Sequence, residues 1–168
     1  MEPVPHIEQD NDGGDYRSGL RERMYTLAKS LTAPTIVELG TRTGNSLRIW
    51  VAACASNGGQ VYSIDCVLRY LSPPPQATLI VGSTQTVQWD TPIDLLYIDA
   101  DHSAESFRHD LTKFYPYVKA GGHVLIHDIT NIGHCADMVP ILAMFCEANS
   151  LTWETWPNQC GIAHLVKP

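Results

Sequence analysis

The sequence predicts one α/β domain, a mostly parallel sheet with helices on both faces and an antiparallel hairpin at its C-terminal end. Three observations predict it. From residue 16 onward, short β-branched or apolar runs alternate with segments of helical periodicity. Most of the short runs stop at a glycine or an acid, as a strand does when it turns into a crossover helix. The last two extended runs are instead joined by a tight polar connection, the mark of a hairpin.

Each element follows in order. Met1 to Asp15 is rich in Pro, Gly and acids and has no apolar stretch of the kind a signal peptide needs, so residues 1–15 read as a flexible arm and residues 16–168 as the domain. Tyr16 to Leu31 carries Leu20, Met24, Leu27, Ala28 and Leu31 at helical spacing, and Pro34 ends it. Thr35 to Leu39 is a strand that stops at Gly40, and Asn45 to Cys54 is the helix after the turn, closed by Gly58-Gly59. Gln60 to Ile64 is a strand ending at Asp65, Ala77 to Val81 one ending at Gly82, and Ile93 to Ile98 one ending at Asp99. Pro73-Pro74-Pro75 between them reads as a stiff loop. Ser103 to Val118 is a helix with Phe107, Leu111, Phe114 and Tyr115 on one side and Gly121-Gly122 as its terminator. His123 to His127 is a strand ending at Asp128, and Ala136 to Asn149 is a helix. Leu151 to Trp156 and Gly161 to Val166 make the hairpin about Pro157-Asn158-Gln159.

Composition narrows the function. A chain of 168 residues with 44% hydrophobic content fills one domain with a sizeable core. Its formal net charge is −7 and no basic stripe is visible, which argues against nucleic acid as a partner and suits a small molecule. No apolar run approaches the roughly 20 residues of a membrane span. Five scattered cysteines form no CxxC pair, so they read as reduced, mostly buried thiols, and the expected location is cytoplasmic.

In open parallel sheets, ligands sit beyond the carboxyl ends of the strands. Those ends are Glu38 and Gly40, Asp65, Gly82-Ser83, Asp99, and His127-Asp128. Gly40 and Gly44 bracket a turn able to approach a ligand closely. Arg42 stands where a dinucleotide fingerprint has its middle glycine, which argues against a pyrophosphate. By itself the turn is as consistent with plain structure as with a ligand. Asp65 adds a carboxylate able to accept two hydrogen bonds from a ribose, and the two in register are more specific than either.

Val37-Glu38-Leu39-Gly40-Thr41-Arg42-Thr43-Gly44, with Asp65 after the second strand, resembles the first motif and the ribose-binding acid of class I S-adenosylmethionine-dependent methyltransferases. The run Ile98-Asp99-Ala100-Asp101-His102-Ser103, then Asp110-Leu111, Gly121-Gly122 and Ile126-His127-Asp128, resembles the small-molecule O-methyltransferase branch, and most of all its bacterial class-24 members. The resemblance covers residues 16 to 168. It implies a Rossmann-like methyltransferase domain with a seven-stranded sheet, S-adenosylmethionine as cofactor, and a small-molecule acceptor. It places Glu38, Gly40, Thr41 and Gly44 along the methionine moiety, with Asn45 and Ser46 donating to its carboxylate. It puts Asp65 on the ribose, Cys66 beside the adenine, and Gly82-Ser83 near the adenine amino group. Asp99 falls at the methionine amino group or on a metal.

Methyl transfer to a hydroxyl needs in-line placement and a proton acceptor. His102, directly after the fourth strand, is the candidate general base, since imidazole titrates near neutrality. A loop histidine bonded to backbone is the equal alternative. Asp99 is the second catalytic candidate. His127 reads as a buried structural residue. In metal-dependent relatives, acids at the positions of Asp99 and Asp128 and a following Asn or Asp hold Mg2+. Here Ile129 follows and cannot ligate, and Asn131 reaches only if the loop bends. The acceptor pocket has to come from the arm, the loops at Ser72 to Gln76 and Thr130 to His134, or a second subunit, as in a homodimer. Tyr70, Trp153 and Trp156 are candidate walls, with core packing the alternative for the tryptophans. Two functions therefore stand: O-methylation of a small hydroxylated metabolite, or a binding or regulatory protein that keeps the cofactor pocket without efficient catalysis. The missing G-x-G-x-x-G argues against a third, an NAD-dependent oxidoreductase.

Overall fold

The computed structural model describes residues 19–67, 74–130, 135–156 and 160–168. Several expectations lie outside them: the arm at 1–15, the first residues of the leading helix, Tyr70, Asn131, parts of both candidate acceptor loops, and the turn at 157–159.

The elements are α1 (Leu20–Ser30), β1 (Thr35–Leu39), α2 (Asn45–Asn57), β2 (Gln60–Asp65), β3 (Ala77–Val81), β4 (Ile93–Ile98), α3 (Ala104–Phe114), a 3-10 turn (Tyr115–Tyr117), β5 (Val118–His127), α4 (Met138–Ala148), β6 (Trp153–Trp156) and β7 (Ile162–Val166). They build one seven-stranded sheet of order β3-β2-β1-β4-β5-β7-β6. β1 to β5 run parallel, while β7 pairs antiparallel with both β5 and β6. The sheet thus has the expected class, terminal hairpin included. Strand order reverses beside β1, which lies between β2 and β4, and such a switch opens a crevice at the strands' carboxyl ends.

Both faces of the sheet are buried, so β1 is apolar at successive positions rather than alternating. Val37 and Leu39 face a core shared with Phe107, Leu111 and Phe114 of α3 and Leu142 of α4. Ile36 faces the opposite core with Met24 of α1, Trp50 of α2, and Tyr97 and Leu125 of the sheet. Trp50 and Tyr97 meet edge-on with centroids 5.4 Å apart. Among the described residues, no helix is long and apolar enough to cross a membrane.

One boundary needs correction. The helix expected through Val118 ends at Phe114, and the pair Gly121-Gly122 is not its terminator but lies inside β5. Pairing overrides the local turn signal: Val118 is opposite Ile93, the register shifts once, and Gly121 and Gly122 exchange backbone bonds of 2.7 and 2.9 Å with Lys167. Glycine is needed at Gly122, where a Cβ would stand 2.9 Å from the Lys119 carbonyl oxygen.

Candidate active site

The turn after β1 is shaped by its neighbours. Gly40 has φ of 94°, and a Cβ there would lie 2.1 Å from the Asp99 carbonyl oxygen and 2.9 Å from Ala100 Cα. Only glycine lets β1 leave the sheet so close to the end of β4. Gly44 is the left-handed N-cap of α2, and its N–H donates to the Thr41 carbonyl at 2.7 Å.

Asp65, at the end of β2, reaches across to the same turn. Its Oδ2 accepts from the backbone N–H of Thr41 at 2.9 Å and of Arg42 at 2.8 Å, while Oδ1 accepts from Val67 N at 3.0 Å. One carboxylate therefore fixes the glycine turn and also stands at the cleft.

Glu38 departs from expectation. It is fully buried beneath the turn, on the α2 side of the sheet, and does not line the cleft. Its carboxylate accepts from Trp50 Nε1 at 3.2 Å and, through a short bond, from the Ser63 hydroxyl, which in turn meets Thr41 Oγ1 at 2.5 Å. Burial pushes its pKa up to about 8 against the pull of Ser46, Ser63 and Trp50. At neutral pH Glu38 is thus a protonated tie between α2, β2 and the turn. Gly44 is likewise absent from the lining, and its part is the bend.

The cleft holds about 600 Å³, a volume suited to a small ligand. One wall is Gly40, Thr41, Arg42, Thr43, Asn45 and Ser46; Ile64, Asp65 and Cys66 follow; residues 82–85 form the far side. Asp99, Ala100, Asp101, His102, Ser106, His127 and Asp128 complete it. Of the expected site residues, the structure brings together Gly40, Thr41, Asn45, Ser46, Asp65, Cys66, Gly82, Ser83, Asp99, His102 and Asp128. Trp153 and Trp156 are absent from the lining: Trp153 packs at the edge of one core, and Trp156 is buried under the Arg23 guanidinium, 4.6 Å from its ring. Of the cysteines, Cys54, Cys135, Cys146 and Cys160 are buried thiols outside any disulfide, and Cys66 is exposed.

Two acids and two imidazoles meet at the ends of β4 and β5. His102 Nε2 lies 2.9 Å from Asp128 Oδ2 and 3.6 Å from Asp99 Oδ1. His127 Nδ1 lies 3.4 Å from each of the same two oxygens. Tyr97 donates its hydroxyl to Asp99 Oδ2 at 3.1 Å. Asp128 holds this place with a positive φ of 61°, a strained conformation for a residue with a side chain. The charges support one another. Asp128 and then Asp99 push the His102 pKa up to about 9. Burial pulls His127 down, but the same acids outweigh it and raise it to about 10. Partial burial raises both carboxyls, yet the imidazoles hold them below the ordinary range. Two expectations change accordingly. His127, read as structural, is buried but belongs to the cluster. His102 stands where expected but is an imidazolium at neutral pH, so it does not titrate near neutrality.

The cluster can be tested against a magnesium ion. Asp99, His127 and Asp128 offer ligand atoms within 4.8 Å of one another, as do His102, Asp128 and Cys135. Each set includes nitrogen, and one includes sulfur, whereas magnesium takes an oxygen shell. Ile129, at the third ligand position of metal-dependent relatives, is packed in the core. The described residues do not fit magnesium.

Sequence reasoning missed Arg42, Gln85, Asp101 and Ser106. Asp101 accepts from the Ser103 and Ser106 hydroxyls at 2.9 and 2.7 Å and so fixes the start of α3. Only its place after Asp99 hinted at this.

A strand-order switch opening on a glycine turn, with acids at the ends of β1's neighbours, is the arrangement of a class I methyltransferase. A family model described as a methyltransferase domain matches residues 37–129, more than half of the chain. The chain belongs to this family of S-adenosylmethionine-dependent methyltransferases. Solved structures share its fold. The Podospora anserina methyltransferase PaMTH1, bound to S-adenosylhomocysteine, superposes with a TM-score of 0.72 at 13% identity, over 89% of this chain and 78% of that one. MycE of the mycinamycin biosynthetic pathway, in complex with Mg, S-adenosylhomocysteine and mycinamycin VI, gives 0.70 at 18% identity. That match covers 89% of this chain and 49% of MycE, so this chain spans about half of MycE's length. CalS11, a TDP-rhamnose 3'-O-methyltransferase of calicheamicin biosynthesis, gives 0.69 at 16% identity, over 88% and 76%.

Proposed function

We propose that this chain binds S-adenosylmethionine and transfers its methyl group to a hydroxyl of a small metabolite. The observation that carries the reading is the single cleft joining the glycine turn and Asp65 at one end to the acid–imidazole cluster at the other. The cleft's residues fit the donor: a close backbone turn, a carboxylate at the ribose position, and the wall at 82–85. Structures of similar fold, MycE and CalS11, belong to natural-product pathways, and CalS11 methylates a sugar hydroxyl.

The donor supplies an electrophilic methyl carbon on a sulfonium: the C–S bond breaks with its pair going to sulfur as the C–O bond forms. The protein's residues place the partners and take the hydroxyl proton. Asp65 and the turn hold one reactant, and the floor formed by Asp99, His102 and Asp128 faces the other. His102 becomes a base only after losing the proton that Asp128 stabilises. The fraction of neutral His102 grows as pH rises toward about 9, so turnover is expected to climb about tenfold per pH unit below that value. That same protonation favours the second reading, a binding protein without efficient catalysis, at neutral pH.

Calorimetry with S-adenosylmethionine, S-adenosylhomocysteine and NAD is the first test, followed by turnover on a panel of phenols and sugars. The adenosyl ligands are expected to bind and NAD to give no heat; binding of NAD alone would refute the proposal. Turnover rising with pH and surviving EDTA is expected from the enzyme, and no turnover at any pH from the binder. Asp65→Ala removes charged hydrogen bonds to both ligand and turn, each worth about 1.5–3 kcal/mol. It is expected to weaken donor binding at least about tenfold, and an unchanged Kd would remove Asp65 from the site.

A further inference from the structure

Asp110 belongs to a motif of the sequence that the cleft's chemistry does not use. It lies within α3, fully buried, and neither carboxyl oxygen makes an aligned hydrogen bond among the described residues. Burial raises its pKa, while the Thr84 hydroxyl, His109 and Lys113 pull the other way. A buried carboxyl in a helix is costly unless nearby groups compensate it, so what it faces is informative. Ser106, Asp110 and Lys113 stand four and three residues apart, one above another on a single side of α3. All three address one segment. Gln85 Nε2 donates to Ser106 Oγ at 3.4 Å. Lys113 Nζ donates to the carbonyls of Thr84 at 2.6 Å and Gln85 at 3.0 Å. The Thr84 side chain faces Asp110.

That segment is the far wall of the cleft. Residues 82–85 line it directly after β3, at the start of a long connection to β4 without helix or strand. The connection has its own anchors further along, where Trp89 packs edge-on against Tyr62 with centroids 5.1 Å apart. Residues 84 and 85 are held instead by the side of α3. Lys113 draws two carbonyl oxygens toward the helix, and the Asp110 carboxyl, buried on the same side of α3 one turn earlier, faces Thr84.

We propose that Asp110 and Lys113 are positioning residues that hold residues 82–85 as the wall on which the adenosine end of the methyl donor rests. The inference depends on the reading that this cleft takes S-adenosylmethionine. Neither residue touches the ligand; they act through Thr84 and Gln85. Removing them leaves the sheet ladders intact and frees two residues of wall. The loss should therefore fall on donor affinity and not on the chemical step.

The test compares the whole chain with Lys113→Met, Asp110→Ala, Asp110→Asn and the double variant of Lys113→Met with Asp110→Ala. S-adenosylhomocysteine and 5'-methylthioadenosine are the calorimetric probes, and KM for the donor and kcat are read separately. Lys113→Met and Asp110→Ala are each expected to raise Kd for both probes about tenfold, with KM raised alike and kcat retained. Asp110→Asn, which keeps an acceptor for Thr84, is expected to stay within about threefold, and the double variant to fall short of the product of the singles. Should Asp110→Ala fail to fold, Lys113→Met and Asp110→Asn carry the test. Wild-type affinity in folded Lys113→Met, or a fall in kcat at unchanged KM, overturns the proposal. A wild-type chain that binds neither probe refutes the cofactor reading itself, and this inference falls with it.

Discussion

Replacing Gly40 by alanine is expected to remove roughly 2–6 kcal/mol of stability, summing backbone strain and overpacking, enough to rival the whole margin of a small domain. The new Cβ would meet the Asp99 carbonyl oxygen at 2.1 Å, the Asp99 carbonyl carbon at 2.7 Å and Ala100 Cα at 2.9 Å. All three are backbone atoms, so no side chain can swing aside. The residue also sits at φ of 94°, where any Cβ is strained. Relief would require parting β1 from β4 at their ends, where Asp99 N donates to the Leu39 carbonyl at 2.9 Å. Urea unfolding measures the loss as a fall in midpoint at unchanged slope. A midpoint matching the wild type would show that the strand ends are not as close as described.

The second large effect is on stability against pH. Glu38 binds its proton far more tightly folded, about 8, than at its ordinary 4.5. In that window the native state carries a proton the unfolded chain has released, so stability falls as pH rises, by on the order of 1.4 kcal/mol per unit. His102 and His127, raised from 6.5 to about 9 and about 10, contribute stability that is full below 6.5 and lost as pH rises through those values. Asp99 and Asp128, held below 3.8, act oppositely: their contribution is present above that value and lost as pH falls toward their lowered pKa. Together these five groups place the most stable pH between 3.8 and 4.5 and make the decline steepest between 6.5 and 8, where Glu38 and both imidazoles act at once. Glu38→Gln mimics the protonated acid. It is expected to flatten the curve between 4.5 and 6.5 and to leave above 6.5 only the shallower fall that the two imidazoles give. A wild-type unfolding midpoint that is level across the lower window would mean that Glu38 is ionised in the folded protein.

Much of this architecture could be read from the chain. Thr35–Leu39, Ala77–Val81 and Ile93–Ile98 are strands at their expected bounds because each is a local apolar run with a clear stop. β5 was legible only from His123 onward, since its first residues pair with Ile93 and with the C-terminal segment, partners far away in sequence. Asp65, Asp99 and His102 were found because a parallel sheet gathers strand ends at one edge. The orientation of Glu38 was not legible: both faces of β1 are buried, so no polar alternation marks which way it points. Nor was the protonation of His102, which depends on a strained Asp128 that only the folded turn brings within 2.9 Å. The grip of Ser106 and Lys113 on residues 84 and 85 was not legible either, because the segment they hold lies on another element, more than 20 positions away in sequence.

The space above Gly40 has a further consequence, for descent with loss of activity. The neighbouring strand's backbone demands the bareness of that residue whatever the cleft holds. A descendant that gave up methyl transfer would be held to Gly40 as firmly as its active cousins, while Ser83 and Cys66, which only border the cleft, would be free to drift. On this geometry a glycine at position 40 would mark the fold, and the residues bordering the cleft would mark its use.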